Sequence, residues 1–122
     1  MARPTLLCVD DDSASRTLYR HLLGCHGYDV VVAEDGVQAL DTLNRSSVSA
    51  VLLDYEMPGL NGSTVAMHLR GIDKEVPIIL HTGGAAPCAE ELALFNSFVS
   101  KGARLSAMLA AIEGALLQRA SK

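Results

Sequence analysis

Residues 50–54 read Ala50-Val51-Leu52-Leu53-Asp54, four apolar side chains in a row and then a carboxylate. A strand with one wet face alternates apolar with polar residues, whereas an unbroken apolar run suits a strand covered on both faces, as in a parallel sheet. The stretch from Val76 to Thr82 has the same character. Working outward, three further β-rich runs run from Thr5 to Asp10, Tyr28 to Ala33 and Ser97 to Ser100. The segments between them carry apolar residues at helical spacing. These stripes are Ala14, Leu18, Leu22 and Cys25; Val37, Leu40 and Leu43; Val65, Leu69 and Ile72; Cys88, Leu92 and Phe95; and Leu105, Met108, Leu109, Ile112 and Leu116. Each reads as a helix facing a core. Ser13 is placed to cap the first helix, Gly24 and Gly27 to close it, and Pro87 to open the fourth.

Strands alternating with helices predict an α/β domain: a doubly wound, five-stranded parallel sheet with helices on both faces, of (βα)5 or flavodoxin-like type. The 122 residues, with no linker or repeat, suit one domain spanning 1–122. A composition of 49% hydrophobic and 20% charged residues suits a folded globular chain. The net charge of −4 disfavours direct binding to nucleic acid or to an anionic membrane surface, both of which begin with a basic patch. No apolar run reaches the roughly 20 residues that span a bilayer, and the acidic residues come too early for a secretory leader, so a cytoplasmic location is expected. Cys8, Cys25 and Cys88 lack metal-ligand spacing and read as reduced thiols.

Open parallel sheets bind ligands at the carboxyl ends of their strands. Those ends carry Asp10, Asp11 and Asp12 after the first strand, Asp54 after the third, Thr82 after the fourth and Lys101 after the fifth. Two unit charges 4 Å apart interact by about 4 kcal/mol at an effective dielectric of roughly 20, so converging carboxylates need a counter-charge. An all-oxygen donor set suits Mg²⁺, with Mn²⁺ a second choice. A carboxylate beside such an ion can attack phosphorus in line to give an acyl phosphate. Asp54, alone at a central strand end, is the nucleophile candidate, and the adjacent pair Asp10 and Asp11 is better placed to hold metal. Taken singly these residues have plainer readings: a solvated turn for 10–12 with Asp12 as a helix cap, a surface Lys101, a buried strand hydroxyl at Thr82. Together they reinforce one another.

Four segments in order resemble the receiver domains of two-component response regulators (the CheY-like superfamily): LLCVDDD (6–12), VLLDYEMPGLNG (51–62), IILHTGG (78–84) and FVSKGA (98–103). The resemblance implies that Asp54 is phosphorylated by a histidine kinase or histidine phosphotransfer protein. It implies that Asp11, Asp54 and the Glu56 backbone carbonyl bind Mg²⁺ directly and that Asp10 acts through water. Thr82 would bond the phosphoryl group and Lys101 would pair with it. Phe98 would be the aromatic that swings inward, changing a face read by a downstream protein; as ordinary core, Phe98 would have no such role. The expected chain is a monomer or weak homodimer. It is not an enzyme beyond self-phosphorylation and self-dephosphorylation, and it is either a stand-alone receiver or part of a larger regulator.

The chain departs from the family after Lys101, where Gly102 replaces the usual proline and its cis bond. A cis bond before glycine costs roughly 2.5–4 kcal/mol, so either a trans bond with a rebuilt turn or retained strain is expected. The stretch from Thr82 to Lys101 is short and the run 83–87 pliable, which predicts an abbreviated or displaced fourth helix. Glu56 is expected near the path of the water that would hydrolyse the acyl phosphate, and Gly83 to leave the phosphoryl site open. His21, His26, His68 and His81 share no ligand spacing and read as surface or core histidines. Two other functions fit less of the sequence. One is a receiver-like interaction domain independent of phosphorylation. The other is a phosphatase of the haloacid dehalogenase type, which needs a second acid two residues after the nucleophile, a position held here by Glu56.

Overall fold

The computed structural model describes residues 3–57, 61–84 and 87–120; positions 58–60 of the 51–62 segment and positions 85–86 of the pliable run lie outside the described residues. Five strands, β1 (Thr5–Val9), β2 (Asp29–Ala33), β3 (Ala50–Asp54), β4 (Ile78–Thr82) and β5 (Ser97–Ser100), alternate with helices α1 (Ser13–Gly24), α2 (Gly36–Arg45), α3 (Gly62–Ile72), α4 (Ala89–Leu92) and α5 (Leu105–Ala120). The strands pair in parallel in the order β2-β1-β3-β4-β5. The chain steps outward from β1 to β2 and then returns to the other side of β1, so the carboxyl ends of β1 and β3 flank the topological switch point.

Alternation along each central strand sends side chains into two cores. Leu7, Val9, Val51, Leu53 and Ile78 pack under α2 and α3 with Ala39, Leu43, Val65 and Leu69. Leu6, Cys8, Ala50, Leu52 and Ile79 pack under α1 and α5 with Leu23, Met108 and Ile112. This two-sided burial is what the apolar run at 50–54 predicts.

Of the two caps the sequence offers for α1, Asp12 serves and Ser13 does not: the Asp12 carboxylate accepts from Ser15 N at 3.1 Å and Ser15 Oγ at 2.7 Å, and a carboxylate there also faces the positive end of the helix. The expected strand limits at Asp10, Tyr28 and Val76 each overreach. β1 ends at Val9, although Asp10 N still donates to Ala33 O at 3.0 Å; the chain turns there, with Asp12 N donating to Asp10 Oδ1 at 3.0 Å, and β4 starts only after Pro77, which has no N–H to donate. Parts of three expected helix stripes also face outward, although Leu43, Val65 and Leu69 of the α2 and α3 stripes are buried as expected. Leu18 (51% exposed), Val37 (70%) and Ile72 (38%) point outward, while Leu23, Ala39 and Ala66 are buried. Ala14, Cys25 and Cys88 are exposed as well.

The fourth helix is a single turn, as the short segment predicts. Arg70 fixes the chain beyond it, donating to Leu94 O at 3.0 Å and to Asn96 Oδ1 at 2.6 Å. No cis peptide bond occurs among the described residues, so Lys101–Gly102 is trans. The turn is rebuilt by Ala103 N donating to Ser100 O at 3.0 Å and Gly102 N to Ser100 Oγ at 3.2 Å. No described helix is long and apolar enough to cross a membrane.

Candidate functional site

Parallel pairing brings the strand ends together. Asp10 N donates to Ala33 O at 3.0 Å and Tyr55 N to His81 O at 3.1 Å, which fixes where β1 and β3 stop. Carboxylate oxygens of Asp10, Asp11 and Asp54 all lie within 4.8 Å of one another; Asp10 and Asp54 are buried and Asp11 is exposed. Three oxygen donors this close repel one another in the absence of a cation and match the ligand chemistry of Mg²⁺, which keeps several waters beside a few carboxylates. The residues present therefore fit such an ion.

Asp54 is 2% exposed. Its Oδ1 accepts from Glu56 N at 3.1 Å. Its Oδ2 lies 3.2 Å from Lys101 Nζ, an ion pair outside hydrogen-bond geometry, so this buried oxygen has no hydrogen-bond partner among the described residues. Burial raises the Asp54 pKa, against the lowering effect of the Glu56 N–H and Lys101. Burial disfavours the Lys101 ammonium too, but pairing with Asp54, aided by Asp10 and Glu56, leaves its pKa above the ordinary value. Lys101 is held in register by its own N–H, which donates to Thr82 O at 2.9 Å. A side cleft of about 210 Å³ opens next to it, lined by Leu18, Tyr19, Leu22 and His81 among others.

Thr82, buried at the end of β4, turns its hydroxyl away from Asp54 in hydrogen-bonding terms, donating to Glu56 Oε1 at 2.6 Å. The same oxygen accepts from Gly83 N at 3.1 Å and Gly84 N at 2.9 Å. These contacts, led by the Thr82 hydroxyl, lower the Glu56 pKa. The Glu56 carboxylate, expected near the path of the hydrolytic water, is engaged by these three donors, the Gly83 N–H among them. The Gly83 and Gly84 amides were missed as donors, although consecutive glycines after a strand are a signal for an anion-binding concavity.

Phe98, expected as switch or core, is 40% exposed on β5 opposite Leu80 and belongs to neither core cluster. His81 is a core histidine, meeting Tyr19 edge-on at 5.3 Å and 76°. Cys8 is buried and its thiol pushed up to about 12 by burial, with Asp10 adding to the shift; Cys25 and Cys88 are exposed free thiols. A contact the sequence did not suggest joins α4 to the loop after β3 and to α3: Tyr55 Oη donates to Glu91 Oε2 at 2.7 Å, and Ser63 Oγ donates to the same oxygen. Gly62 permits it, since a Cβ there would lie 2.9 Å from Tyr55 Cδ1 and 3.0 Å from Tyr55 Cα.

The family model for the response regulator receiver domain matches residues 6–113. Response regulator MprA of Mycobacterium sp. (strain KMS) is 43% identical over 77 residues, 63% of this chain but 34% of that protein. The chain therefore spans far less than the full length of this relative. Among solved structures, response regulator protein TrrA from Thermotoga maritima, in complex with Mg²⁺-BeF, is 28% identical with a TM-score of 0.86, over 92% of this chain and 98% of that one. The CheY-like receiver domain protein from Methanospirillum hungatei JF-1 has a TM-score of 0.89 over 98% of both chains; at 20% identity it speaks to the fold alone.

Proposed function

The chain belongs to the response regulator receiver domain family, and from that premise we propose that it is a phosphoacceptor signalling module of a two-component or phosphorelay system, modified on Asp54. The observation that carries the proposal is the meeting of Asp10, Asp11 and Asp54 within 4.8 Å, with Lys101 Nζ 3.2 Å from Asp54. A ring of carboxylates with one ammonium suits an incoming phosphoryl group bridged by a cation better than it suits a purely structural role.

Receiver domains bind Mg²⁺ at an acidic pocket, and in this chain Asp10, Asp11, Asp54 and the Glu56 carbonyl are the residues that would hold it. Bound there, Mg²⁺ (or Mn²⁺) would neutralise charge on the transferring phosphoryl group. The Asp54 carboxylate is the nucleophile: one oxygen forms a bond to phosphorus as the bond from phosphorus to a partner's histidine nitrogen breaks, and the released imidazole takes its proton from solvent. Lys101, already paired with Asp54, is positioned to follow the charge outward onto the phosphoryl oxygens. Thr82 would donate its hydroxyl to one of those oxygens. Its inward movement would open space for Phe98, whose exposed position on β5 leaves it free to turn, and so alter the surface offered to a downstream protein. The partners proposed are a histidine kinase or histidine phosphotransfer protein and a protein target; a monomer or weak homodimer and a cytoplasmic location belong to the same reading, with residues 1–122 acting as one receiver domain. The hydrogen bonds that engage Glu56 with Thr82, Gly83 and Gly84 disfavour a haloacid-dehalogenase-type phosphatase, which would need this carboxylate as a free acid.

Incubation with acetyl phosphate and Mg²⁺ is expected to add one phosphoryl group by mass spectrometry, lost on treatment with hydroxylamine and absent in Asp54→Asn. Unchanged mass in the wild type, with or without a phosphorylated histidine donor, would overturn the proposal.

A further inference from the structure

Beyond Asp54, the site contains a second, preassembled anion cradle. Glu56 Oε1 accepts from the Thr82 hydroxyl (2.6 Å), Gly83 N (3.1 Å) and Gly84 N (2.9 Å) at once. The cradle is closely filled: a Cβ added to Gly84 would stand 3.3 Å from that oxygen. Gly84 N also reaches Thr82 Oγ1 at 3.1 Å, so hydroxyl, amides and carboxylate form one closed set. Glu56 itself lies on the exposed side of the chain, tethered next to Asp54 through the Glu56 N–H at 3.1 Å from Asp54 Oδ1. Asp54 stands opposite His81 in the β3–β4 ladder, so the cradle's donors follow directly on its neighbouring strand, and a carboxylate oxygen and a phosphoryl oxygen ask for the same thing from them, charge-assisted N–H and O–H bonds.

We propose that Glu56 is an internal competitor of the phosphoryl group: its carboxylate occupies the Thr82, Gly83 and Gly84 donors while Asp54 is unmodified, and has to leave them before a phosphoryl oxygen can engage them. The inference rests on the phosphoacceptor reading of Asp54. Its consequence is regulatory. The unmodified conformation of the loop after β4 is held by the protein's own anion, which keeps the Thr82 hydroxyl engaged until a stronger, dianionic ligand displaces the carboxylate. The competing carboxylate recovers hydration when released, so the net handicap is much smaller than the sum of its charge-assisted bonds, and a shift of about tenfold in analogue affinity is expected, about 1.4 kcal/mol.

The test compares wild type, Glu56→Ala and Glu56→Gln by NMR at saturating Mg²⁺, so that any change in cation affinity is separated from the effect sought. Beryllofluoride is titrated as the phosphoryl analogue, and exchange of the Gly83 and Gly84 amide protons is followed without analogue. Glu56→Ala is expected to bind beryllofluoride about tenfold more tightly and to exchange both amides faster, with Glu56→Gln between the two, because an amide oxygen keeps the acceptor but not the charge. If wild type and Glu56→Ala bind beryllofluoride equally, or the variant binds more weakly, the competitor role is overturned while the phosphoacceptor reading stands. If none of the three proteins binds it, both fall together.

Discussion

His81 stands one residue before Thr82 at the end of β4, 2% exposed and edge-on to Tyr19. Burial, reinforced by the Lys101 charge and opposed by Asp10, pushes its pKa from 6.5 down to about 4. The unfolded chain binds this proton as pH falls through about 6.5, the folded chain only near 4, so over that window the unfolded state holds more protons and stability declines with falling pH. The contribution is fully present above the unfolded value and worth about 2–3 kcal/mol between pH 7 and pH 4.5. Urea unfolding at those two pH values is expected to show a loss smaller by that amount in His81→Phe than in wild type; equal losses would mean the imidazole is not held neutral. The sequence placed His81 only as surface or core, because a side chain's burial depends on which face of β4 lies under α1. Asp10, Asp54, Thr82 and Lys101 were legible for the opposite reason: each ends or follows a strand, and parallel pairing leaves such residues few places to be. Gly83-Gly84 after a strand signals an anion-binding turn, but that Glu56 supplies the anion was not legible, since nothing in the residue types directs its side chain to those N–H groups.

At the scale of elements, the short α4 is the least self-sufficient part of the fold. One turn satisfies few of its own backbone groups, and none of its four residues is buried. Glu91 compensates by accepting from Tyr55 on the loop after β3 and from Ser63 on α3. Removing that acceptor strands two hydroxyls, one on the buried Ser63, at a cost of about 1–3 kcal/mol. In Glu91→Ala, hydrogen exchange of amides 89–95 is expected to quicken while β1 and β3 keep their protection; uniform exchange across the variant, or none altered, would show that these bonds do not hold the turn. Because Tyr55 adjoins Asp54, the same contact links the acidic pocket to α4. The five strands could be read from the sequence because runs such as 50–54 and 78–82 admit few alternatives. The helix faces could be read only in part: in α1, Leu18 and Leu22 versus Tyr19 and Leu23 are equally good stripes on paper, and the sheet's position decides that Leu23 goes in and Leu18 out.

Across the whole molecule, a net charge of −4 is concentrated in a damaging way. Asp10, Asp11 and Asp54 converge within 4.8 Å, and the ammonium of Lys101 is the one basic group in ion-pair contact with them among the described residues. The fold therefore stores carboxylate repulsion at the switch point of its sheet; the Asp54 pKa is raised mainly by burial, with the Asp10 charge adding a smaller part, and the edge should be stabilised by any cation that enters. Mg²⁺ bound only to the folded chain adds about 2.7 kcal/mol at a concentration 100 times its Kd, which for a domain of this size raises the melting temperature by roughly 7–14 °C. Screening by a monovalent salt acts on the same repulsion but weakly at such short range. Wild type is accordingly expected to melt several degrees higher with MgCl₂ than with KCl of equal ionic strength, and to lose the increment on chelation. Asp11→Asn, a change at an exposed position that leaves the two cores untouched, is expected to melt higher than wild type without Mg²⁺, having less repulsion to hold, and to gain far less from the ion. Equal Mg²⁺ increments in the two proteins would place the bound cation elsewhere, and with it would go the claim that this acidic edge is built around a single ion.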